Sequence, residues 1–186
     1  MPNLRQAWWA ARTMIVAPFY GSLHTPSYIG PTTFVMGRRR IFIGKKVRIF
    51  PGLRAEVHGS GKIVIEDDVA IGQSFHVTAM GNLRIGAGTL ISGFAMVTDI
   101  DHEYTDVSRS VHEQPMIHSH TELGRNCFIG MGARIQAGTV LGDGCVVGAN
   151  AVVRGEFAAN SVIVGVPARA IKVFDATDGT WRRVAS

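Results

Sequence analysis

From Leu123 to Val153 an aliphatic residue returns at every sixth position: Leu123, Ile129, Ile135, Leu141, Val147 and Val153, with Ile117 one step upstream. That spacing matches neither the 3.6-residue period of a helix nor the two-residue period of an isolated strand. Two positions before each aliphatic stands a small residue, in turn Thr121, Cys127, Ala133, Thr139, Cys145 and Ala151. Residues two apart on a strand share a face, so both sets are expected to point inward. Gly124, Gly130, Gly142 and Gly148 follow the aliphatics, where a chain turning a tight corner needs either no bulky Cβ or a positive φ. Three such six-residue units close one triangular turn, and successive turns stack at strand spacing, ~4.8 Å. The predicted fold is an all-β parallel β-helix. Each buried aliphatic stabilises its core by about 1.5–3 kcal/mol before chain entropy is subtracted.

The beat starts imperfectly upstream, at Ile29 and Val35, then Ile43 and Ile49, then Ile65, Ile71 and Val77, then Ile85, Ile91 and Val97. Extra residues on the way read as bulged corners at His58–Gly61 and Ala79–Asn82. After Val97 the rhythm fails until Ile117, and the intervening "TDIDHEYTDVSRSVHEQPM" is polar and rich in Asp and His. A loop of that length, extruded from so regular a scaffold, more often carries function than fills space. The expected organisation is an N-terminal segment 1–28, a prism 29–165 bearing an active-site loop 98–116, and a C-terminal tail 166–186. In the tail, "FDATDGTWRRV" sets Asp-Gly between apolar flanks and reads as a small hairpin. At the other end Trp8, Trp9 and the run Met14–Phe19 are apolar, but Arg12 and Pro18 interrupt them well short of the ~20 residues of a spanning helix. A short amphipathic helix packed on the prism is expected there, with weak contact to a membrane surface as the alternative.

Composition adds limits. A chain of 186 residues suits one domain, and 46% hydrophobic with 18% charged residues describes a soluble protein with apolar flanks that favour oligomerisation. The formal charge of +5 favours anionic partners. Nucleic acid is not expected, because the only basic block is Arg38–Arg40 and no base-stacking motif accompanies it. Cys127 and Cys145 occupy equivalent inward positions in consecutive turns, which makes them core fillers rather than a disulfide, a metal site or a nucleophile. The cytoplasm is then the expected compartment.

The run "IGMGARIQAGTVLGDGCVVGANAVVRG", the closing "VIVGVPARAIK" and "IDHEYTD" around His102 resemble the hexapeptide-repeat acyltransferases, over roughly Ile41 to Val173. The resemblance implies a left-handed prism, acetyl-coenzyme A as co-substrate, no metal, and a homotrimer with active sites between neighbours. Its histidine loop looks like that of the sugar-acetylating branch, which includes galactoside and maltose acetyltransferases. The tail "FDATDGTW" looks like the members that modify polysaccharides. The implied activity is O-acetylation of a sugar hydroxyl, in a surface polysaccharide or its precursor, by a cytoplasmic enzyme or one peripheral to the inner membrane. The same loop leaves room for transfer to an antibiotic or an amino-sugar.

Residue by residue, the resemblance makes His102 the catalytic base. It sets Met131 and Ala149 along the thioester and pantetheine path, Val153 and Arg154 beside the phosphates, and Arg169 and Lys172 near the nucleotide. Ser74 and His76 fall where hydroxyl-binding side chains lie, with Asp99, Asp101 and Tyr104 as loop neighbours. Met131 and Val153 stand where the family usually has a polar residue, and Phe128 where many members have Trp. On chemistry alone, an imidazole can take a proton from a hydroxyl near neutral pH. His76 reads equally as a solvated outward residue, Asp101 as an orienter of His102 or a solvated loop charge, and the cations as phosphate ligands or surface charges. A rival reading is a γ-class carbonic anhydrase, a prism enzyme whose zinc needs three histidines. His118 and His120 form an H-x-H, but no third ligand is placed by the sequence.

Overall fold

The structure, a computed structural model, describes residues 4–184. Parallel pairing in about seven turns builds a left-handed β-helix with three faces. The first face stacks Ser22–Leu23, Ile41–Ile43, Lys62–Ile65, Asn82–Ile85, Glu122–Leu123 and the end of Arg134–Leu141. The second stacks Tyr28–Ile29, Arg48–Ile49, Ala70–Ile71, Leu90–Ile91, Phe128–Ile129, Val146–Val147 and Ser161–Gly165. The third stacks Thr32–Met36, Leu53–Val57, His76–Ala79, Met96–Thr98, the start of Arg134–Leu141 and the start of Val152–Phe157. The predicted inward columns form the core: the six aliphatics from Leu123 to Val153 and their six small partners are all buried.

Register explains how an irregular sequence keeps a regular core. Ile43 pairs with Ile65 and Ile65 with Ile85, so the extra residues of these longer coils are taken up in corners near His58 and Met80. Ile85 then pairs with Leu123, Ile91 with Ile129 and Val97 with Ile135, so only the segment between Thr98 and Thr121 lies outside the stack. Ile117 is a correction to the predicted beat. It lies half-exposed on an antiparallel ribbon, Ile100–His102 against Met116–His118, and not on the prism.

The corner glycines serve by what they lack. A Cβ on Gly130 would sit 2.5 Å from the Ala149 backbone nitrogen of the next coil, although Gly130 has no positive φ. Positive φ falls two residues later, at Gly132 (70°), and at Asn126 and Asn150 in equivalent corners. Asn tolerates this left-handed geometry better than other side chains.

Each end of the stack carries an added element, a helix at one and a hairpin at the other. The helix Leu4–Val16 closes the N-terminal end: Thr13 Oγ1 accepts the Ile29 N–H at 2.8 Å, and Arg12 Nη1 donates to the Ile29 and Gly30 carbonyls. Trp9 packs with Tyr28 and Phe50 at ring distances of 5.8 and 5.9 Å. At the other end Ala168–Asp175 folds back antiparallel on Ser161–Gly165 and forms the predicted hairpin with Thr180–Arg183. No helix among the described residues is long and apolar enough to cross a membrane.

Candidate active site

The ribbon that carries His102 leaves the prism at the end of the third face. Its root is a hydroxyl pair, Thr78 Oγ1 and Thr98 Oγ1 at 2.6 Å, and Thr98 Oγ1 also accepts the Ile100 N–H at 3.0 Å. Asp99 completes the root. It is fully buried, and its two oxygens accept the N–H groups of Met80 (2.7 Å) and Gly81 (2.9 Å), with His118 Nε2 3.5 Å away. A carboxylate so occupied anchors the loop, so Asp99 is not an acceptor-facing side chain as the sequence suggested.

Beyond the root the segment is knitted together. The Gln114 side chain is buried, donates to the carbonyls of Asp106 and Arg109, and accepts the Asp106 N–H. Glu103 Oε1 accepts the N–H groups of Thr105 and Tyr104, and hydrogen bonding, first from Thr105 and then from Tyr104, holds its carboxyl below the usual carboxylate range. His102 is therefore presented on an ordered ribbon, with its imidazole exposed.

Around it lies a cleft of about 400 Å3 lined by Asp101, His102, Glu103, Tyr104, Ser119 and Arg154 among others. Asp101 binds at both oxygens: Oδ1 accepts the His102 backbone N–H at 3.0 Å, and Oδ2 meets Arg154 Nη1 at 3.2 Å. Arg154 thus ties the ribbon to a later coil. Register accounts for the meeting, since Val97 pairs with Ile135 and Ile135 with Val153, which stacks Arg154 above the point where the loop departs. That count was available in the sequence, where Arg154 was read with the phosphate contacts.

The third face carries a polar row next to the ribbon. Arg54, His76, Met96 and Arg134 stand in register, with Glu56, Thr78 and Thr98 in the neighbouring column. His76 Nε2 is buried without a hydrogen bond among the described residues, 3.6 Å from Glu56 Oε1. Burial first, and then the Arg54 charge, lower its pKa below the ordinary 6.5. His76 is thus held toward its neutral form. Arg54, Glu56 and Arg134 were missed by sequence reasoning; pairing across coils of unequal length is what brings them to His76. Ser74 sits exposed one corner away at φ 56°.

The residues expected to meet the cofactor divide into separate groups. Met131 and Ala149 are exposed on one corner in consecutive coils, where the Asn150 N–H donates to the Met131 carbonyl at 2.8 Å. Val153 is fully buried in the core and its carbonyl accepts Thr139 Oγ1, so its side chain has no outward role. Arg169 and Lys172 are exposed on the antiparallel strand of the second face, and neither pairs with a carboxylate among the described residues. His118 and His120 approach different carboxylates, Asp99 and Glu122. Cys127 and Cys145 are unpaired and buried, and burial pushes the Cys127 thiol up to about 11.

Comparison with known proteins agrees with this architecture. Residues 120–155 match the family described as bacterial transferase hexapeptide (six repeats). The chain is 33% identical over 139 residues, 71% of each protein, to WbbJ of Escherichia coli K12, named for O-acetyl transfer in lipopolysaccharide biosynthesis. It is 26% identical, over 90% of its length and 85% of the relative's, to WcaF of Escherichia coli K12, named for acetyl transfer in colanic acid biosynthesis. Among solved structures, AntD of Bacillus cereus, an N-acyltransferase in complex with dTDP and 3-hydroxybutyryl-CoA, superposes with a TM-score of 0.70. There the identity is 18%, covering 90% of each chain.

Proposed function

The chain belongs to the hexapeptide-repeat acetyltransferases, and from that premise we propose that it moves an acetyl group from acetyl-coenzyme A to a sugar hydroxyl of a polysaccharide or its precursor. The observation that carries this reading is the His102 cleft, with the imidazole on a stitched ribbon and Asp101 held between the His102 backbone and Arg154. In this reading segment 98–116 is the active-site loop of a prism spanning 29–165, flanked by segment 1–28 and tail 166–186. The sugar classes named for WbbJ and WcaF support the choice of acceptor.

His102 takes the proton of the acceptor hydroxyl as its oxygen attacks the thioester carbonyl carbon. A tetrahedral oxyanion forms and collapses with cleavage of the C–S bond, and the imidazolium returns its proton to the departing thiolate. A general base at this position contributes about 10²- to 10⁴-fold, and holding both substrates in one cleft supplies further rate. The Asp101–Arg154 pair is a positioning device: it fixes the backbone at His102 and touches no reacting atom. His76, Ser74 and Tyr104 are assigned to the acceptor. The polar row Arg54, Glu56 and Arg134 supports His76.

Acetyl-coenzyme A suits what remains exposed. Met131 and Ala149 form an apolar ledge fit for a pantetheine arm, and Arg169 and Lys172 are cations without carboxylate partners among the described residues, fit for phosphates. In one chain the ledge and His102 occupy different corners. We therefore propose a homotrimer in which one copy's ribbon faces a neighbour's ledge, a closed cyclic arrangement. Two unpaired cysteines and an acetyl-coenzyme A substrate fit a cytoplasmic enzyme.

The test is thioester cleavage against a panel of sugars and glycans, with mass spectrometry of the product. The reading predicts an acetyl adduct that mild alkali removes, as an ester. An alkali-stable adduct on an amino-sugar would instead make the protein an N-acetyltransferase, and absence of coenzyme A binding would remove the enzyme reading altogether.

A further inference from the structure

Charge is distributed unevenly along the prism. The first 55 residues hold nine of the 19 Lys and Arg and none of the 14 Asp and Glu. Four of the nine are engaged: Arg12 and Arg40 with backbone carbonyls, Arg48 with Asp68, and Arg54 with Glu56. Arg5, Arg38, Arg39, Lys45 and Lys46 are exposed, with no carboxylate partner among the described residues. The N-terminal cap is therefore a cationic surface.

The helix on that cap is apolar on its outer face as well as its inner one. Leu4, Trp8, Ala11 and Ile15 recur at the i, i+4, i+7, i+11 spacing of one stripe, and all four are exposed, Leu4 at 91% and Ile15 at 73%. Phe19 extends the apolar surface beyond the helix end. Beside Met14 opens a cleft of about 410 Å3 lined mainly by apolar side chains, with Lys46 and Arg48 among its walls. Arg38 and Phe19 border a second recess on the cap. An apolar stripe with aromatic side chains, set among exposed cations, matches the boundary between acyl chains and anionic headgroups.

We propose that the N-terminal cap docks on an anionic phospholipid bilayer, with Leu4, Trp8 and Ile15 entering the acyl boundary and Arg5, Arg38, Arg39, Lys45 and Lys46 meeting phosphates. Charge complementarity favours this occupant over a second copy of the chain, whose cap would bring the same five cations, without carboxylate partners among the described residues, against these five. The docking does not depend on the acetyl-transfer reading, because it is read out without substrate.

The full chain is sedimented with vesicles of equal parts phosphatidylglycerol and phosphatidylcholine, and with vesicles of phosphatidylcholine alone. Binding should occur to the first and weaken as salt is raised. Neutralising Lys45→Gln/Lys46→Gln should lower the affinity about fivefold per residue. Trp8→Glu/Ile15→Glu should abolish binding while leaving the far-ultraviolet dichroism unchanged. Should the helix variant unfold, the Lys45/Lys46 variant, in a corner of the prism, gives an independent reading. The proposal is overturned if the wild type ignores anionic vesicles, or if binding is insensitive to both salt and these charges. It is also overturned if Trp8→Glu/Ile15→Glu lowers the mass in light scattering, which would make the stripe a contact between copies.

Discussion

A guanidinium 3.2 Å from Asp101 Oδ2 does different work from one that grips a phosphate, and kinetic constants separate the two. Arg154→Ala should lower kcat about tenfold with little change in KM for acetyl-coenzyme A, because the ribbon and its histidine lose a tether. Arg169→Ala and Lys172→Ala should each raise that KM about tenfold with kcat nearly unchanged, as expected for lost charge-assisted bonds of about 1.5–3 kcal/mol. The reverse pattern would return Arg154 to the phosphates. His76 makes a prediction in pH. Its folded pKa is lowered, so the unfolded chain takes up the proton first as pH drops below 6.5. Its effect on stability is absent above that value and destabilising below it, and His76→Gln should flatten the fall in Tm between neutral and mildly acid pH. Cys127, with its thiol near 11, should resist iodoacetamide in the native protein at neutral pH and react on denaturation.

At the scale of the coil, fit between neighbouring corners matters more than backbone freedom. Gly130→Ala places a Cβ 2.5 Å from the Ala149 nitrogen, a backbone atom that cannot yield cheaply. Overpacking of this kind costs about 1–3 kcal/mol, and thermal melting should show a Tm lower by several degrees. The same regularity explains what could be read in advance. Columns such as Cys127–Cys145 and Ile129–Val147 follow from a strict repeat, so the prism, its core and the extruded segment were legible. Where coils lengthen, sequence distance stops reporting height on the prism. Glu56 and Thr78 are therefore unremarkable in the sequence yet adjacent in the fold. Asp99 was misassigned for a different reason: nothing local distinguishes a loop carboxylate facing solvent from one bonded to the N–H groups of Met80 and Gly81. Arg154 could have been placed by counting rungs from Val97 through Ile135.

For the whole molecule, the His102 cleft and the Met131–Ala149 ledge lie on different corners, so activity should require assembly. Light scattering should give the mass of a trimer, and dilution into monomer should abolish turnover; a fully active monomer would contradict shared sites. The central claim is that His102 is the base of an acetyl transfer, and steady-state acetyl-coenzyme A turnover by wild type and His102→Ala, on an acceptor identified by mass spectrometry, tests it most directly. The account predicts that the variant keeps its fold and coenzyme A affinity while kcat falls about 10²-fold or more. A variant that retained more than about a tenth of wild-type kcat would contradict it.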